Sequence, residues 1–146
     1  MNNIQTIKEN PAIQNHVNML QSIINRMASN SANSKTWAIT IISAILVLLF
    51  DKQKTCLVYI VYIPLLLFYF LDSFYLGLEK HFRGEYENFV DKIESDKFDF
   101  KEVYKINGPK KFKDRLRLMI RGLWSFSTTP FYVIFAILIY ILLKIS

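Results

Sequence analysis

The sequence predicts an all-α integral membrane protein with three long helices, two of them a helical hairpin, which carry cytoplasmic helical extensions and assemble as a homo-oligomer. Three observations predict it. The chain is 52% hydrophobic and gathers apolar residues into three stretches, 37–50, 56–71 and 128–144, which is unusual for a soluble chain of 146 residues. It has only 4 Gly and 4 Pro, and apolar residues recur at helical spacing almost throughout, so little of it suits a sheet. Third, Asn15, Asn18, Ser22, Asn25, Ser29, Asn33, Thr36, Thr40 and Ser43 follow one another by steps of three or four, which keeps them on one face of one helix. That polar face runs into an apolar segment without losing phase.

The elements follow in order within a single domain, 1–146. Residues 1–10 hold few apolar side chains and are expected to fray. Asn10 then caps a helix whose first position is Pro11, where the missing N–H costs nothing. A first helix over 11–50 is predicted, with Ile13, Val17, Leu20, Ile24 and Met27 opposite the polar face. The run SNSANSK, residues 29–35, holds poor helix formers and is the place for a break, yet the polar face continues across it.

Its membrane segment, 37–50, is short against the roughly 20 residues a span needs; Trp37 at the interface and Lys35 reaching outward lengthen it. The turn DKQK, residues 51–54, forces an antiparallel hairpin. The second helix, 55–95, carries membrane segment 56–71, with a kink expected at Pro64. Asp72 marks its exit. Beyond it Phe74, Leu78, Phe82, Tyr86, Phe89, Val90 and Ile93 extend the helix into water, with Gly84 its weakest point.

A cytoplasmic loop follows over 95–110, where Phe98 and Phe100 alternate with charges and Asn107, Gly108 and Pro109 make a turn. Residues 110–145 read as a basic amphipathic helix leading into membrane segment 128–144. Phe112, Leu116, Met119, Ile120 and Leu123 face one way, and the cations face the other. Trp124 marks an interface, and Thr128 and Thr129 before Pro130 cap the last segment.

Net charge is +6, and its distribution gives orientation. Lys8, Arg26, Lys35 and all 12 Lys and Arg between Asp72 and Thr128 fall on one side of three spans, against Lys52, Lys54 and Lys144 on the other. By the positive-inside rule the amino terminus and large loop are cytoplasmic, in a multi-pass protein of a bacterial inner membrane. No cleavable signal peptide is visible, so the first segment is expected to stay in the mature protein.

Enzyme signatures are missing from the sequence. His16 and His81 lie far apart with no HExxH, CxxC, GxSxG or GxxxxGK around them, and they read as packing or solvated residues. The single Cys56 excludes an internal disulfide and reads as a small packing residue. No cofactor or metal site is expected, and no catalytic residue. The acids from Glu79 to Asp99 read as a solvated face paired locally with Lys and Arg.

Two features stand out. Ser29, Asn33, Thr36, Thr40 and Ser43 are candidate pore-lining residues, although Ser and Thr in lipid also serve as a close-packed seam between helices. One chain with three spans encloses no pore, so conduction needs a ring of copies, such as a tetramer. The run KKFKDRLRLMIR places six Lys or Arg against one Asp. Lys110, Lys111, Lys113, Arg115, Arg117 and Arg121, with Arg26 and Lys35, are candidate ligands for a nucleotide or oligonucleotide phosphate. The other reading of that run is a helix lying at anionic headgroups.

The stretch HVNMLQSIINRMASNSANSKTW, His16 to Trp37, resembles the leading helix of a family of small bacterial membrane proteins. In layout, over most of its length, the chain resembles the small membrane effectors of bacterial antiphage systems, of the Hailong channel type. That resemblance implies an oligomeric ion channel controlled by short single-stranded DNA from a partner nucleotidyltransferase, which depolarises the infected cell in abortive infection. It assigns no residue. A non-conducting anchor that recruits a cytoplasmic partner through Ser73–Glu94 is the alternative.

Overall fold

The structure is a computed structural model and describes residues 10–52, 55–95 and 99–145. The expected fraying of the first residues, the second half of the DKQK turn and Phe98 lie outside the described residues. Every described element is helical: α1 (Pro11–Asp51), a 3₁₀ segment (Thr55–Val61), α2 (Tyr62–Glu94), a 3₁₀ turn (Phe100–Tyr104), α3 (Phe112–Leu123) and α4 (Thr129–Ile145). Two helical stretches, Pro11–Asp51 and Leu57–Glu94, are long and apolar enough to cross a membrane. The apolar Thr129–Leu142 is shorter.

Helix α1 starts as the sequence predicts. The Asn10 side chain accepts from the Ala12 amide at 2.9 Å, and Pro11 opens the helix. It then runs unbroken for 41 residues, about 61 Å at 1.5 Å per residue, straight through SNSANSK. The weak propensity there is overridden by packing, because Ser31 and Ser34 are buried against the rest of the fold.

Pro64 lies at the start of an α-helix rather than inside a continuous one. The residues before it, Thr55–Val61, form a 3₁₀ segment and the α-helix opens at Tyr62, so Pro64 falls in the first turn. A proline ring clashes with the carbonyl four residues back, and starting the α-helix here removes that conflict. Gly84 interrupts nothing either, and open space surrounds the place where its Cβ would stand.

α1 and α2 pack antiparallel along three clusters. At the distal end Ile13 meets Phe89, Ile93 and Val103; in the middle Leu20, Ile24 and Met27 meet Phe82. These clusters hold the polar extensions together and gain the ordinary hydrophobic stabilisation, about 1.5–3 kcal/mol for each large side chain fully buried. The third cluster, Ala38, Ile42, Val58, Val61, Leu65, Tyr132 and Ile139, joins the three apolar segments. Ala38 is fully buried there, and its small side chain lets the backbones come close.

The loop after α2 is held by both histidines. His16 Nδ1 lies 2.8 Å from the Val103 carbonyl, with its ring against Phe89 at 4.4 Å, and His81 Nε2 lies 2.9 Å from the Asn107 carbonyl. Lys92 adds an ion pair to Glu102 at 2.8 Å. This loop contains the 3₁₀ turn Phe100–Tyr104.

α3 returns antiparallel along α2, and two glycines set the distance. A Cβ on Gly77 would stand 2.2 Å from the Leu118 carbonyl oxygen, and one on Gly122 would stand 1.9 Å from that of Ser73. Only glycine allows this backbone approach. The side of α3 that packs is therefore that of Leu118 and Gly122. Phe112, Leu116 and Ile120, three of the apolar residues expected to face one way, are exposed, Phe112 to 79%.

α3 stops at Leu123 and a tight turn through Ser125 leads to α4, which opens at Thr129. The Thr129 hydroxyl donates to the Leu123 carbonyl, as does that of Tyr69 at 3.1 Å, so Thr129 closes the end of α3 as well as opening α4.

Candidate functional site

The polar face of α1 is intact. Asn15, Asn18, Ser22, Asn25, Ser29, Asn33, Thr36, Thr40 and Ser43 are all exposed, while Met27, Ser31, Ser34, Ala38 and Ile42 form the buried line. The five candidate pore residues thus share one outward surface that the chain itself leaves uncovered. Thr40 donates to the Thr36 carbonyl at 2.9 Å and Thr36 to that of Ala32 at 3.3 Å, so both hydroxyls are satisfied by their own helix. One helical turn beyond Ser43 the same face carries Val47, exposed to 67%. The line of hydroxyls ends on an apolar side chain.

The candidate cations separate into groups. Lys110, Lys111, Arg117 and Arg121 come together around a cleft of about 490 Å³ closed by His81 and the Asn107–Pro109 turn, with Asp114 as its acid. Docking α3 on α2 through the glycines creates this cleft. Lys113 is exposed on α3 outside it, and the Arg115 Nε–H donates to the Pro109 carbonyl at 3.1 Å. Arg26 is exposed on α1, which contributes no lining residue to the cleft.

Lys35 is elsewhere and already engaged. Its Nζ lies 2.6 Å from Asp72 Oδ2, and the Ser31 hydroxyl donates to Oδ1. The Lys35 ammonium also donates to Ser31 Oγ at 3.4 Å. Asp72, read from sequence as the place where α2 leaves the apolar layer, is 0% exposed. Sequence reasoning missed this site, although Ser31 and Lys35 at i and i+4 on the face opposite the polar stripe were its available signal.

Both tryptophans lie close to this level. Trp37 is two residues beyond Lys35 on α1, and Trp124 is two residues beyond Gly122, which touches Ser73 next to Asp72. Each is exposed. Among the described residues no three His, Cys, Asp or Glu side chains gather so as to hold a metal ion. Comparison with protein-family models, curated proteins and solved structures finds no match to this chain.

Proposed function

We propose that this chain is one subunit of a homo-oligomeric channel in a bacterial inner membrane, crossing three times with its amino terminus cytoplasmic. The observation that carries the reading is the exposed polar face of α1, which stays in register from the extension into the apolar segment of one unbroken 41-residue helix. Asn33 and Thr36 bring the polar face to the edge of segment 37–50, and Thr40 and Ser43 carry it inside. Facing a symmetry axis, the same side chains line a water-filled path.

The ligand in this reading is a nucleotide or short single-stranded DNA whose phosphates enter the cleft of Lys110, Lys111, Arg117 and Arg121. It opens the channel only by binding the open arrangement more tightly than the closed one. An effector role in antiphage defence, with depolarisation as the outcome, is supported by the resemblance in layout. Recruitment of a partner through Ser73–Glu94 is less well supported, because α1 covers Phe82, Phe89 and Ile93 and α3 covers Gly77.

Current through a planar bilayer containing the purified protein, with and without short oligonucleotides, tests the proposal. Stepwise conductance supports it, and silence under both conditions contradicts it.

A further inference from the structure

The turn from α3 to α4 presents the two most exposed large apolar side chains among the described residues, Phe126 at 95% and Trp124 at 86%. Burying a side chain of this size in an apolar layer would gain about 1.5–3 kcal/mol over leaving it in water. Apolar α4 begins at Thr129, three residues after Phe126. The contact of Gly122 with Ser73 places the same turn where the apolar run of α2 stops. Trp124 and Phe126 therefore stand at the edge of the apolar layer, where amphipathic rings favour the headgroup level.

Cations stand immediately beyond that edge. Lys80 Nζ donates to Ser125 Oγ at 3.3 Å, which holds its ammonium beside the turn, and Arg121 shares a cleft with Lys80 one turn of α3 before Trp124. Arg117 is exposed one further turn out. Of the nearby acids, Glu79 is bonded to Arg83 at 2.8 Å, Asp72 is paired with Lys35, Glu85 shares the cleft that Lys80 and Arg121 line, and Asp114 shares the one that Arg117 and Arg121 line. The charge next to the aromatic pair is positive.

We propose that Lys80, Arg117, Arg121, Trp124 and Phe126 form a docking face for the headgroups of anionic phospholipid, with the two rings in the acyl boundary and the three cations at the phosphates; Arg117 and Arg121 also line the cleft with Lys110 and Lys111, so lipid and a soluble phosphate ligand compete for them. A soluble anion would use the cations and leave the rings exposed; a lipid uses both. The inference rests on the membrane-spanning part of the proposed function and not on conduction.

Native mass spectrometry of the full chain in detergent, titrated with dioleoylphosphatidylglycerol or dioleoylphosphatidylcholine, tests it. The expected result is preferential retention of phosphatidylglycerol, with the preference falling roughly five-fold for each cation removed in K80Q, R121Q and K80Q/R121Q. K80R/R121K keeps the preference, which separates loss of charge from loss of fold, and W124A/F126A weakens retention of both lipids. Equal retention of the two lipids, or a preference unchanged in K80Q/R117Q/R121Q, would overturn it. Alkaline carbonate extraction separates the two readings. A chain that stays in the membrane without the lipid preference overturns this inference alone, and a chain that is extracted overturns both.

Discussion

Lys35 and Asp72 join the two long helices through a 2.6 Å ion pair whose carboxylate has no exposed surface, at the junction between the polar extensions and the apolar segments. Taking a carboxylate out of water costs several kcal/mol, and here the cation and the Ser31 hydroxyl offset it. Removing one partner leaves a buried charge alone. Lys35→Met is therefore expected to destabilise the hairpin by about 3–5 kcal/mol, and adding Asp72→Asn to recover much of that loss. Thermal unfolding of the wild type, both single variants and the double variant in detergent measures the coupling; additive losses would show that the two side chains act independently.

The glycines of α2 divide by environment. Gly77→Ala forces a methyl group against the Leu118 backbone and is expected to cost about 1–3 kcal/mol, as is Gly122→Ala in α3 against Ser73. Gly84→Ala meets open space and should stabilise by about 0.5–1 kcal/mol through helix propensity. The same unfolding assay checks all three, and a neutral Gly77→Ala would show that α3 docks elsewhere.

Much of the fold is legible in the sequence because helix periodicity and caps are local signals. Asn10–Pro11 marks the start of α1, and the three-and-four spacing of Asn15 to Ser43 marks its outward face. What is not legible depends on contacts between distant residues. Leu118 and Gly122, rather than Phe112 and Leu116, pack because glycine permits backbone approach, and apolar periodicity gives no measure of that. Asp72 reads as an exit residue because the cation that neutralises it lies 37 positions earlier in the chain. Among the candidate cations, only the return of α3 along α2 separates Lys110, Lys111, Arg117 and Arg121 from Lys113, Arg115, Arg26 and Lys35.

That separation predicts a difference in ligand binding. Replacing Lys110, Lys111 or Arg117 by Gln should weaken binding of a short oligodeoxynucleotide and lower the slope of log affinity against log salt by roughly 0.7 for each phosphate that is no longer neutralised. Arg26→Gln and Lys113→Gln should leave the slope unchanged. Titration by fluorescence anisotropy at several salt concentrations distinguishes the sets, and equal effects in both would dissolve the cleft as a site.

Val47 continues the polar face of α1 with an apolar side chain, and a ring of such residues closes a pore by excluding water. Val47→Ser is expected to raise current in the absence of ligand, while Leu48→Ser, one position around the helix, should not. Basal conductance in planar bilayers reads the difference directly.

The central claim is that the uncovered polar face of α1 surrounds water among identical subunits. Cysteines placed one at a time at Thr36, Thr40 and Ser43 in a Cys56→Ser background, treated with a charged thiol reagent during current recording, test it most directly. Modification at these three positions is expected to block current, and modification at a cysteine in place of Leu48 is expected to leave it unchanged. Unaltered current at all three, in channels that conduct, would contradict the claim.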